Sequence, residues 1–228
     1  MKKHKIYRER RVNDIENKST LSEIDMEFLA TLSKSNNALT RNTAAELLVK
    51  SNTAQGEDIL YRLSFDKNIL VKMNAIDSLC IGRTLKSLQR LALLSYDRDY
   101  LIRGYALLSH YEVYLNYNKT YGNECRIKSY SDNLKNRIAD EDETWVKVVM
   151  YEIMYNCGLE DALNEMISIL NKSIEIKNYE IVWEILHTFE DIIEDKNKKS
   201  IENTLKHTYT FLLPAQKDYV NEIFGKII

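Results

Sequence analysis

Few residues in this chain of 228 are equipped for catalysis. Glu184 and His187 form an ExxH pair, a spacing that di-iron carboxylate bundles use twice, together with two further Glu residues. No second pair exists, because His4, His110 and His207 each lack a Glu three positions before them. The pair therefore reads as a solvated or partly buried helix face. Cys80, Cys125 and Cys157 are odd in number and have no metal-type spacing, so reduced, buried thiols are expected. No Ser or Cys stands in a nucleophile elbow, and no Gly-rich loop could cradle phosphate. The expectation is a protein without catalytic residues, metal, cofactor or small-molecule substrate.

Charge carries more information. The net charge of −2 hides an uneven distribution. Residues 1–138 hold 23 Lys and Arg against 16 Asp and Glu, residues 139–195 hold 3 against 15, and residues 196–228 hold 6 against 3. The acidic stretch opens with Asp140, Glu141, Asp142 and Glu143 at the start of a helix, where the helix dipole favours acids. Residues 1–18 are basic and polar with no clean period. They read as a loosely ordered lead-in, with a nucleic-acid arm as the sharper alternative.

These residues must be positioned by helices. Pro214 is the only proline and there are six glycines, too few for the turns of an all-β protein. No apolar run approaches the roughly 20 residues that span a bilayer, and the basic N-terminus has no apolar segment behind it, so a cytoplasmic protein is expected. Apolar residues at helical spacing begin after a capping box read at Thr20 and Glu23. Leu63-Ser64-Phe65-Asp66 leads into Leu70-Val71-Lys72 and Ala75, and Leu94-Ser95-Tyr96-Asp97 leads into Leu101-Ile102-Arg103 and Ala106. Matched positions stand 31 residues apart, and Leu32-Ser33, Leu39, Arg41 and Ala44 fit one period earlier. First helices share Leu29, Leu60 and Leu91, while second helices share Ala44, Ala75 and Ala106.

These copies resemble HEAT repeats, especially the short HEAT-like kind. The family pattern of Asp, Val/Ile-Arg/Lys, Ala and Leu stands here as Asp66, Val71-Lys72, Ala75 and Leu79, then as Asp97, Ile102-Arg103 and Ala106. His110 departs from the Leu48 and Leu79 position, and Ser35 replaces the Asp. Tetratricopeptide repeats have a longer period and a signature that is missing here. The resemblance implies an all-α, right-handed α-α superhelix (a solenoid of about five helical pairs) over 19–228, with an insertion near 116–137. It also implies that second helices line a concave face. An inter-repeat ladder of Arg41, Asp66, Lys72, Asp97, Arg103 and Lys147 is expected, with a phosphate-binding basic row as the alternative.

The pattern returns at Trp145-Val146-Lys147, and further helices are expected over 159–171, 178–194, 200–213 and 215–227. In the repeat frame Glu46, Asp77 and Glu152 share one position, and Glu180 and Glu184 follow on the next second helix. Tyr105, Tyr111, Trp145 and Trp183 lie among them, as core residues or as binding anchors. An acidic concave row with aromatic anchors would attract a basic protein and repel nucleic acid. The expected function is a non-enzymatic protein-binding scaffold, in its sharpest form an inhibitor or immunity protein against a basic toxin or nuclease. The alternative, implied by the resemblance, is a nucleic-acid binder of the DNA glycosylase type using the basic first half. The Lys-, Asn- and Ile-rich composition suggests an AT-rich bacterial genome.

Overall fold

The computed structural model describes residues 2–123 and 126–225, with side chains from residue 9 onward. Among these residues the secondary structure is entirely helical, and helices adjacent in sequence pack on one another. The chain divides into two compact units, Met1–Cys125 and Arg126–Ile228, where the repeat pattern leads one to expect a single array over 19–228.

The first unit holds α1 (Lys2–Glu16), α2 (Glu23–Leu32), α3 (Ala38–Leu48), α4 (Ala54–Leu63), α5 (Ile69–Ser78), α6 (Leu85–Leu94) and α7 (Tyr100–Tyr121). The starts of α2, α4 and α6, and those of α3, α5 and α7, are each 31 residues apart. The caps repeat with the same period. Ser22, Thr53 and Thr84 accept from the third amide of each first helix, and Asn37 and Asn68 do the same on α3 and α5. At the first-helix C-termini Ser33, Ser64 and Ser95 donate their hydroxyls to the carbonyl three residues back. Leu29, Leu60 and Leu91 are fully buried, as are Ala44, Ala75 and Ala106. The small alanines allow α3, α5 and α7 to pack side by side in that order.

Three features differ from the sequence reading. The capping box is Ser22 with Asp25, not Thr20 with Glu23. Asp25 prevails because its buried carboxylate also takes Arg11 at 3.0 Å and Lys18 at 2.7 Å. Next, residues 2–16 form a helix instead of a loose lead-in. Its end is docked: Ile15 is fully buried, Val12 packs on the core, and Lys50 donates to the carbonyls of Ile15 and Glu16. Finally, the insertion is helical. Its first part extends α7 to Tyr121, which ends at Gly122 in the left-handed region (φ 64°), and its second part forms α8 (Ile127–Ile138) in the second unit. Cys125 lies outside the described residues.

The second unit continues with α9 (Thr144–Asn156), α10 (Asp161–Glu175), α11 (Tyr179–Ile192), α12 (Asp195–Thr208) and α13 (Pro214–Phe224). Pro214 takes the first helical position, where its missing amide is no loss. The expected end of the last helix at 227 lies outside the described residues. α12 begins five residues before the expected start because Asn197 anchors it. Its Nδ2 donates to the Tyr155 hydroxyl at 2.7 Å and to the Ile192 carbonyl at 2.8 Å. The core is built from Val146, Ile153, Met166, Leu170, Ile185 and Phe189, all at most 1% exposed. α11 packs between α9 and α13.

Candidate functional site

The expected ladder residues meet in the first unit. Arg41 on α3 reaches Asp66 before α5 with Nε at 2.6 Å and Nη2 at 2.9 Å, and its Nη1 donates to the Ser35 carbonyl at 2.8 Å. Lys72 on α5 reaches Asp97 before α7 at 3.0 Å. Each acid also accepts the backbone amide two residues on, Asn68 at 2.9 Å and Asp99 at 3.1 Å. The Arg41 contact holds the Asp66 carboxyl below the ordinary carboxylate range, and Arg41 is raised in turn. At Asp97 burial pushes the other way, but the Asp99 amide and Lys72 together leave it lowered. Arg103 donates to the carbonyls of Asp97 at 2.9 Å and Arg98 at 3.1 Å. Lys147 on α9 is half-buried. Arg41 and Lys72 are therefore occupied by carboxylates, which argues against their binding phosphate.

The acidic row divides by local context. Glu46 is exposed but accepts from Asn42 and Asn74, both at 2.8 Å, while Asn74 also donates to Asn42 at 2.8 Å. Asp77 is exposed at the end of α5. Burial, reinforced by Asp77 and Glu112, pushes the nearby Cys80 thiol up to about 11. Tyr105 packs half-buried against the core of the first unit. Asp140, Asp142 and Glu143 are exposed, but Glu141 is only 8% exposed and accepts the Glu143 amide at 3.0 Å. Glu141 thus performs the turn role of Asp66 and Asp97 and is not a surface acid of the expected row. Glu152 is half-buried on α9.

A compact group forms on α9, α11 and α13. Trp145 donates its indole N–H to Glu184 at 3.0 Å. One helical turn along, Trp183 meets the Tyr219 ring edge-on at 5.4 Å and the His187 ring at 5.7 Å. His187 stacks on Tyr219 at 4.9 Å with the rings 12° apart. Tyr219 donates its hydroxyl to Glu190, and burial together with that carboxylate raises the phenol above its usual value. Glu180, Glu184 and Glu190 are exposed around these rings. Tyr219, His187 and Glu190 were absent from the expected set. Tyr219 lies 36 residues from Trp183, and no sequence spacing links α13 to α11.

The arrangement offers carboxylates, amphipathic rings and one stacked imidazole. No serine or cysteine accompanies His187 in these contacts, and among the described residues no three His, Cys, Asp or Glu side chains gather as metal ligands. No described helix is long and apolar enough to cross a membrane. Comparison with protein-family models, with curated proteins and with solved structures finds no match.

Proposed function

We propose that this protein is a non-enzymatic binding scaffold whose second unit holds a basic protein. The observation that carries this reading is the acid-rimmed aromatic group on α9, α11 and α13. Trp145 and Trp183 bring large amphipathic surface, the kind that dominates interface energy. The exposed carboxylates of Glu180, Glu184 and Glu190 supply the complementary field for Lys and Arg. The unit as a whole carries 13 Lys and Arg against 19 Asp and Glu, a net −6 that speeds encounter with a cationic partner. In its sharpest form the scaffold is an inhibitor or immunity protein that occludes a basic toxin or nuclease, with carboxylates imitating phosphate.

We further propose that the helical pairs stack in the manner of short HEAT-like repeats. The 31-residue period of caps, core leucines and close-packing alanines supports this, as does the side-by-side order of α3, α5 and α7. The test is binding to a panel of purified basic nucleases and toxins by biolayer interferometry, with wild type and with Glu180→Lys/Glu184→Lys. A partner held by the wild type and lost by the variant establishes the reading. Equal binding by both, or no binding across the panel, ends it.

A further inference from the structure

The first unit has a net charge of +4, from 19 Lys and Arg against 15 Asp and Glu. The carboxylates standing among its repeat loops are already engaged. Asp66 is held by Arg41, Asp97 by Lys72, and Asp58 by Lys86. What remains is a repeating set of cations and rings just beyond the first helices. Lys34, Phe65 and Tyr96 occupy one repeat position, with Arg62 three residues before Phe65 and with Lys67 and Arg98 two residues after the rings. Among the described residues no carboxylate pairs with Lys34, Arg62, Lys67 or Arg98, and all four are exposed. Phe65 is 56% exposed and Tyr96 65% exposed, unusual for rings that no packing requires.

Phe65 is also pre-oriented. Arg90 lies over one face of its ring at 3.6 Å and is anchored by donating to the Ser64 carbonyl at 2.7 Å. Tyr61 meets the same ring edge-on at 5.4 Å. The remaining surface of Phe65 faces solvent on a ring whose rotamer is fixed, so little entropy is lost when a flat group stacks there. Tyr61, Lys34, Arg62 and Lys86 continue this surface into an open groove of about 560 Å³.

We propose that this edge of the first unit binds single-stranded nucleic acid. Bases stack on Phe65 and Tyr96 while Lys34, Arg62, Lys67 and Arg98 hold the phosphates. Exposed rings alternating with unpaired cations are the chemistry of sequence-tolerant single-strand binding. The two rings belong to neighbouring helical pairs, whose axes pack about 8–10 Å apart. Stacked bases rise only about 3.4 Å per step, so the strand must be unstacked, which a duplex resists.

Fluorescence anisotropy of the full chain with labelled oligothymidine and oligouridine, at about 50 mM salt, tests this. The expected result is binding that weakens steeply with salt, and that falls by about tenfold or more in Phe65→Ala/Tyr96→Ala. Lys67→Ala/Arg98→Ala should weaken binding and lower the salt slope by about 2. All four side chains are solvent-exposed, and unchanged circular dichroism melts confirm that the variants fold. A preference for oligouridine would add a 2′-hydroxyl contact, and equal affinity would assign recognition to rings and phosphates alone. Either result upholds the site. No binding at low salt, equal binding of a duplex of the same length, or undiminished binding by the ring variant overturns it.

Discussion

Arg41 and Asp66 stand 25 residues apart and are joined by two parallel hydrogen bonds, at 2.6 and 2.9 Å, with side chains 12% and 9% exposed. The pair fastens α3 to the loop that starts α5, so it links one helical pair to the next. Removing Arg41 leaves Asp66 partly buried without its cation. Arg41→Ala should destabilise the first unit by about 2 kcal/mol. Lys72→Ala, which breaks a single contact between more exposed groups, should cost about 0.5 kcal/mol. Native-state hydrogen exchange of amides in α3 and α5 reads both, and an equal effect would mean that the forked geometry contributes nothing.

Acid should loosen the first unit through three carboxylates. Asp25, Asp66 and Asp97 all have folded-state values below the ordinary range. At Asp25 burial acts in the opposite direction but is outweighed by Lys18 and Ser22. A lowered folded value means that the unfolded chain binds protons first, so the stabilisation is complete above the unfolded value of about 4 and is lost as pH falls below it. Urea midpoints followed from neutral pH to about pH 3 should decline most below pH 4. Asp25→Asn should flatten that decline; an unchanged slope would remove Asp25 from the account.

How much of this was legible in the sequence depends on whether the signal was local. The 31-residue period was visible because each copy must refill the same buried sites, Leu29, Leu60 and Leu91, and must cap the same helix ends. The pairing of Arg41 with Asp66 followed from register alone. The docking of α1 was hidden, because Ile15 and Val12 are isolated apolar residues in a polar helix, and Lys50 secures its end from 34 residues away. Tyr219 was hidden for a similar reason: only the packing of α13 on α11 brings it to Trp183. Glu141 was misread because a run of four acids looks like one surface feature, whereas backbone direction turns one of them inward.

That inward turn is testable on its own. Glu141→Ala removes an acceptor from the Glu143 amide at the start of α9 and should cost about 1 kcal/mol. Asp142→Ala and Glu143→Ala, which change exposed side chains, should stay within about 0.5 kcal/mol of wild type. Three equal losses in thermal unfolding would return Glu141 to the surface row.

Cys80 should be nearly inert as a nucleophile. Its thiol is pushed up to about 11, first by burial and then by Asp77 and Glu112. Since the thiolate is the reactive form, its alkylation at pH 8 should run on the order of 100-fold slower than that of an ordinary thiol. Mass spectrometry of iodoacetamide-treated protein resolves the sites. Rapid labelling of Cys80 in the folded protein would contradict its burial.

The Trp145–Glu184 hydrogen bond gives the proposed binding surface an internal readout. The contact fixes an exposed carboxylate beside an indole, and neither group needs the other for the core, because Val146, Ile185 and Leu186 provide that packing. Glu184→Ala should therefore leave the melting temperature nearly unchanged while shifting tryptophan emission. If Trp183 anchors a partner, Trp183→Ala should weaken the complex by at least about 2 kcal/mol, roughly 30-fold in Kd. The two effects separate structure from binding: a variant that loses the partner but keeps its melt has lost an interface contact. Should Trp183→Ala unfold the second unit instead, the ring is packing for α11 and α13, and the surface would have to be sought among Glu180, Glu184 and Trp145 alone.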